Sequence, residues 1–284
     1  MAEQPPKASG APGGDPRRME VRRSVAELGA RTYAIQLLSD ADIPFLVGGA
    51  YAFAHYTGIY RDTKDLDLFL HRKDADRAIE LLSRNEWRTE SEVHGWLHKA
   101  FWADFLVDLI YSSGNGITAI DEAWFEHSVP AQVLGCPCRV PPAEEIFWSK
   151  AFVLERERFD GHELTHLLLK TGATFDWERL LRRFDRYWEV LLSHLLLFRF
   201  AYPSDRAIVP DWLMRELLSR AERSVDQGNW QERICRGRII SFRNYRVDVD
   251  EWGYEDGDAW DIQERKKDDP ALTAGGAPGT DGLH

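Results

Sequence analysis

The sequence predicts an α+β protein, in which short strands and helices interleave over residues 21–140 and a helical bundle follows over 141–247. Three observations carry this reading. Short apolar runs bounded by Gly, Pro, Asn or Asp occur before residue 141 and stop there. Apolar residues at helical spacing continue after it. Between the two, Pro141-Pro142-Ala143-Glu144-Glu145 has the form of a helix start, with prolines in the first turn and acids facing the positive end of the helix dipole.

Taken in chain order, Val21, Val25, Leu28, Ile35 and Leu38 recur at helical spacing and predict a first amphipathic helix. Residues 45–47, 66–70, 105–110 and 133–140 read as strands. Residues 50–56 and 73–84 read as helices, the second with Ala75, Ile79 and Leu82 on one face. His94 and His98 stand four residues apart, but the stretch around them reads as a strand and they are taken as ordinary polar residues. Beyond 141, Leu180, Phe184, Trp188, Leu191, Leu195 and Phe198 form a further helical stripe, read as core, and Trp212, Leu213, Leu217 and Leu218 begin another.

The 284 residues carry 36 Lys and Arg against 47 Asp and Glu, a net charge of −11, which disfavours a protein that coats nucleic acid non-specifically. Most of that charge sits in residues 248–269, where ten acids face three bases, so the remainder is close to neutral. Residues 1–18 and 270–284 are rich in Pro, Gly and Ala and are expected to be disordered. The whole of 248–284 is expected as an acidic and Gly/Pro-rich tail. Eight arginines between 215 and 246, interleaved with Trp230, Phe242 and Tyr245, read either as an RNA-binding face or as the place where the acidic stretch folds back, and the second is favoured. Three cysteines give no disulfide framework and indicate a reducing compartment; Cys136 and Cys138 are read as strand residues rather than zinc ligands. No leader-like apolar run opens the sequence, and residues 191–201 are too short and too interrupted to span a bilayer. A cytoplasmic protein without a membrane partner is expected.

The chemistry concentrates in two segments. Gly48-Gly49 follows a strand and runs into a helix, which presents bare backbone N–H groups at a helix N-terminus, an arrangement suited to phosphate. Asp65 and Asp67 lie two apart on an apolar strand and so project from one face, while Leu66 and Leu68 point into the core. The pair reads either as a solvated strand edge neutralised by Arg61 and Lys64 or as a Mg²⁺ site. Asp108 interrupts another apolar strand, where a lone carboxylate is costly and needs a partner. If its strand pairs beside the first, three carboxylates and a glycine turn supply the parts of two-metal phosphoryl or nucleotidyl transfer.

With these residues the sequence resembles the DNA polymerase β-like nucleotidyltransferase superfamily, in its hG[GS]…DxD…hDh arrangement. Thr57-Gly58, Arg61, Thr63, Asp65 and Asp67 look more like the small bacterial members with a helical C-terminal domain, a group that includes abortive-infection-type toxins and antibiotic nucleotidyltransferases. The resemblance covers residues 45–110. It implies a small mixed-sheet nucleotidyltransferase domain followed by a helical bundle. It further implies that Gly48 and Gly49 hold the triphosphate of an NTP, that Asp65, Asp67 and Asp108 bind two Mg²⁺ ions, and that Asp108 draws the proton from the attacking hydroxyl. Arg61, Thr63 and Lys64 would line the nucleotide site, with Arg61 and Lys64 divided between phosphate contact and charge balance. Lys150, on the first helix of the second half, would reach the triphosphate. At the position of Gly49 many members of the superfamily have Ser.

The expected function is therefore a Mg²⁺-dependent transfer of NMP from an NTP to a hydroxyl or phosphate acceptor, with release of pyrophosphate. RNA or tRNA, a small molecule and a protein side chain all remain open as acceptor, and any of eleven tryptophans as a platform for the base. The alternative is an inactive nucleotide-binding or interaction protein of the same fold, such as a toxin–antitoxin component.

Overall fold

A computed structural model describes residues 25–93, 95–103, 105–225 and 233–257. Both Pro/Gly-rich tails and Trp230 lie outside the described residues. Helix α1 (Val25–Asp40) leads into β1 (Leu46–Val47), α2 (Gly49–Thr57), β2 (Asp65–Phe69) and α3 (Arg72–Arg84). Three antiparallel neighbours follow, β3 (Arg88–Val93), β4 (Leu97–Trp102) and β5 (Phe105–Ile110). These make one mixed sheet in the order β1-β2-β5-β4-β3, in which only β2 and β5 run parallel.

Strand alternation gives this sheet two unlike faces. Leu66, Leu68, Val107, Leu109 and Ala100 are fully buried on one face, against Ala34, Ile35 and Leu38 of α1 and Ala75, Ala78 and Leu82 of α3. The opposite face carries Asp65, Asp67, Asp108 and Lys99, with Asp67 beside Asp108 and Asp108 beside Lys99 in the pairing register. Phe69, at the end of that face, packs into the second core, edge-on to Trp124 with ring centroids 5.1 Å apart.

After α4 (Glu122–Glu126), a hairpin of β6 (Val129–Val133) and β7 (Cys136–Val140) turns through Leu134 and Gly135, both at positive φ. The run expected as one strand over 133–140 is thus a turn and a strand. The left-handed turn is permitted by Gly135 and imposed on Leu134. The cysteines Cys136 and Cys138 are free and lie on β7.

Five helices follow: α5 (Ala143–Ala151), α6 (Gly161–Thr171), α7 (Trp177–Phe184), α8 (Trp188–Ala201) and α9 (Asp211–Val225). The stripe from Leu180 to Phe198 is two helices rather than one, because Asp185 takes a positive φ and a short 3₁₀ turn to Tyr187 re-aims the chain. The helical core includes Phe147, Leu167, Leu180, Phe184, Leu195 and Phe198, and it continues without a break into Leu46, Phe53 and Trp124 of the first half. Glu145, wholly buried on α5, pairs with Arg179 and Arg183 of α7, and Arg183 also holds Asp121 before α4. A buried carboxylate is tolerated here because two guanidiniums face it.

The chain then doubles back. Strand β8 (Ile234–Cys235) pairs parallel with β9 (Glu255–Asp256), and α10 (Arg246–Asp250) lies between them. Arg238 pairs with Asp256, Arg246 with Asp250, and the Arg233 guanidinium lies over the Tyr254 ring. Residues 248–257, expected as tail, therefore carry structure and meet the arginine-rich segment. No helix among the described residues is long and apolar enough to cross a membrane.

Candidate active site

The cleft lies on the acidic face of the sheet, under α5 and the loop that follows it, and has a volume of about 800 Å³. Asp65, Asp67 and Asp108 meet there, each offering a carboxylate oxygen within 4.8 Å of the others. The parallel register of β2 and β5 is what brings them together, because it sets Asp67 directly beside Asp108.

The glycine turn closes on the same acids. The N–H of Gly48 donates to the Asp67 carbonyl at 2.8 Å, which ties the turn to β2. A Cβ on Gly48 would overlap the Phe69 ring. Gly49 begins α2 at a φ of 53°, and a Cβ there would overlap Oδ2 of Asp67. Glycine at 49 is thus what allows the carboxylate to sit against the helix start. Of the two glycines expected to hold a triphosphate, Gly49 lines the cleft and Gly48 packs behind it.

Each acid has its own environment. Thr63 Oγ1 donates to Oδ1 of Asp65. The loop bearing Thr63 is held by Arg31, which is fully buried on α1 and donates to the Thr63 carbonyl at 3.0 Å and to the Tyr51 hydroxyl at 3.1 Å. Burial, and then the charges of Asp65 and Asp108, push Asp67 up to about 7, against the weaker opposing pull of Lys150 and Arg158. Burial also raises Asp108, opposed by Lys99, whose Nζ donates to its Oδ1 at 2.9 Å, while the charge of Asp65 adds to the rise.

Across the cleft stands a cationic wall. Lys150 Nζ pairs with Asp160 Oδ2 at 2.8 Å and Glu163 Oε2 at 2.7 Å. Arg158 reaches both oxygens of Asp160, at 3.3 and 3.2 Å, and Arg61 pairs with Glu163. Burial works to raise the Asp160 carboxyl, but Lys150 and Arg158 outweigh it and hold the carboxyl below its usual range. Lys64 is exposed and is not among the residues that line the cleft, so of the two cations weighed against the acid pair only Arg61 faces it. His98 is buried with Nε2 2.9 Å from Asp76 Oδ1, on the far side from the acids, as an ordinary polar residue.

Four contributors to the site were not read from the sequence: Arg31, Lys99, Glu163 and the 237–242 segment. Lys99 carried a readable signal only once its strand was known to lie beside β5, and Glu163 reads as an ordinary first-turn acid of α6.

Three carboxylates gather on one face of a mixed sheet, opposite cations and beside a glycine-started helix, and the family that the chain matches makes it a nucleotidyltransferase. Residues 17–200 match the family described as Uncharacterised nucleotidyltransferase, and the chain belongs to that family. No curated protein matches the chain in sequence. Among solved structures it is similar to the antibiotic-resistance factor ANT(2'')-Ia at 17% identity, covering 61% of this chain and 98% of that one with a TM-score of 0.44. It is also similar to the lincosamide antibiotic adenylyltransferase LnuA in its lincomycin-bound form (11% identity, 49% and 94% covered, TM-score 0.37). JHP933 from Helicobacter pylori is a further likeness (15% identity, 72% and 97% covered, TM-score 0.37).

Proposed function

We propose that the protein transfers a nucleoside monophosphate from a nucleoside triphosphate to an acceptor hydroxyl or phosphate, in a Mg²⁺-dependent reaction at Asp65, Asp67 and Asp108. The observation that carries this is the acid trio itself. Three carboxylates with oxygens within 4.8 Å repel one another, and only one of them has a lysine partner. Such a donor set fits hard divalent cations, which take oxygen ligands and keep positions for substrate phosphates. The absence of a Cβ at Gly49 keeps Asp67 free to serve as a ligand from the helix side.

Bound Mg²⁺ would neutralise charge on the triphosphate and on the oxygens exchanged at the α-phosphorus. The chain's own residues supply the rest. Gly49 at the start of α2 offers backbone N–H to phosphate oxygens, with the helix dipole favouring the anion. Lys150 and Arg158 hold the β- and γ-phosphates and stabilise the charge that develops on pyrophosphate as its bond to the α-phosphorus breaks. Asp108 accepts the proton of the acceptor hydroxyl as its oxygen bonds to that phosphorus, and Lys99 fixes the carboxylate at 2.9 Å. Asp160 and Glu163 hold Lys150 in place from behind.

The test is incubation with Mg²⁺, each NTP and fractionated cell lysate as the source of acceptor, following pyrophosphate, with Asp67→Asn as control. Pyrophosphate from the wild type alone supports the reading. Equal release by the variant overturns it.

A further inference from the structure

The cleft has a wall that neither the acid trio nor the cations use. It is built by residues 237–242, which lie beyond the segment matching the family, and it is pinned at several points. The Asn115 side-chain amide donates to the Ile239 carbonyl at 2.9 Å, and the Leu154 N–H donates to the Ile240 carbonyl at 3.0 Å. Glu155 then gathers three donors from the next turn: Ser241 Oγ at 2.6 Å, Phe242 N–H at 3.1 Å and Asn244 Nδ2 at 3.3 Å. Arg238 is anchored by Asp256 and lays its guanidinium over the Phe242 ring, 4.2 Å from the centroid.

The result is an aromatic ring that lines the cleft yet stays 53% exposed. The hydrogen bonds to Glu155 fix the backbone that carries the ring, and Arg238 lies over one of its faces. Among the other aromatic rings lining the cleft, Phe53, Trp124 and Phe152 are buried in the core, Phe69 is half-buried and packed edge-on to Trp124, and Trp96 is half-buried. A nucleoside triphosphate has an anionic end, for which the cleft already offers Gly49, Lys150 and Arg158, and a planar aromatic end. A ring backed by a guanidinium suits the second, since stacking needs only a π-face and a cation behind the ring reinforces it.

We propose that Phe242, backed by Arg238, is the shelf on which the nucleobase of the incoming triphosphate stacks. This rests on the nucleotidyl-transfer reading above and assigns the base-binding wall of the same cleft. The contact is independent of the phosphates, so it is separable from them by the choice of ligand.

The experiment is calorimetric titration of the full chain, with Mg²⁺, by each of the four ribonucleoside triphosphates and by inorganic tripolyphosphate. Wild type, Phe242→Ala, Phe242→Trp and Trp96→Ala are compared. The shelf predicts that Phe242→Ala weakens the best nucleotide about tenfold or more, the scale of one lost base–aromatic stack, and leaves tripolyphosphate unchanged. Phe242→Trp should retain nucleotide affinity. Equal nucleotide affinity in wild type and Phe242→Ala overturns the shelf while leaving nucleotidyl transfer in place. So does a parallel loss for tripolyphosphate, which signals a collapsed wall, or a base-dependent loss confined to Trp96→Ala. Failure of wild type to bind either ligand overturns the transfer reading and the shelf with it.

Discussion

Replacing Asp67 by Asn should abolish transfer and at the same time stabilise the metal-free protein, by an amount that grows with pH. Burial and the neighbouring charges of Asp65 and Asp108 raise the Asp67 carboxyl from 3.8 to about 7. A carboxyl raised in the folded state contributes stability that is complete below pH 3.8 and is lost as pH climbs through about 7, because the folded protein keeps a proton that the unfolded chain releases. At about 1.4 kcal/mol per pH unit across that interval, the loss approaches about 4 kcal/mol by pH 8. Asn cannot ionise, so the variant escapes it. For a chain of this size each kcal/mol moves the melting temperature by about 2–4 °C. The assay is thermal melting in EDTA from pH 4 to pH 8.5. The variant's advantage should be small at pH 4, widen up to about pH 7 and level off above it. A variant less stable than wild type by the same margin at every pH would refute the reasoning.

Other substitutions probe neighbouring parts of the cleft. Gly49→Ala forces a Cβ into Asp67 Oδ2 at a positive φ, so it should cost about 1–2 kcal/mol of stability for the backbone and a larger share of turnover, read by melting and by initial rates. Lys99→Met removes the cation that opposes the rise of Asp108. With that carboxylate needed ionised, the acid limb of the kcat/KM profile should move to higher pH, and an unmoved limb would show that Lys99 does not act through Asp108. Glu163→Gln removes one acid from the group around Lys150 and Arg61. It should tighten tripolyphosphate binding a few-fold at low salt, with the gain shrinking as ionic strength rises.

The parts of the fold legible in the sequence were those in which a side chain declares its own surroundings. Asp65 and Asp67 alternate with leucines, and Asp108 interrupts an apolar run, so each announced a strand with one unlike face. The glycine turn announced the helix start at Gly49. What escaped was set by partners distant in sequence. Strand β3, Arg88–Val93, is an edge strand of mostly polar residues with no alternation to read. The break at Asp185 depends on a positive φ that no glycine advertises. Leu134 adopts the same conformation because the β6–β7 hairpin around it requires it. Arg31 sits on an otherwise helical-looking stretch, and only the loop folded over it reveals why a guanidinium is buried there. The wall at 237–242 was concealed in an arginine-rich segment whose charge pointed to surface roles, whereas its backbone is fastened by Glu155 and Asn115.

The central claim is nucleotidyl transfer at the acid trio, and a label-transfer reaction tests it most directly. Purified protein, Mg²⁺ and each of four α-³²P-labelled NTPs are incubated with fractionated cell lysate beside an Asp65→Asn control. The account predicts label in a discrete fraction with wild type and none with the variant, which would establish the activity and the acceptor class together. Label transferred equally by Asp65→Asn, or no transfer by a wild type that binds NTP with Mg²⁺, would contradict it.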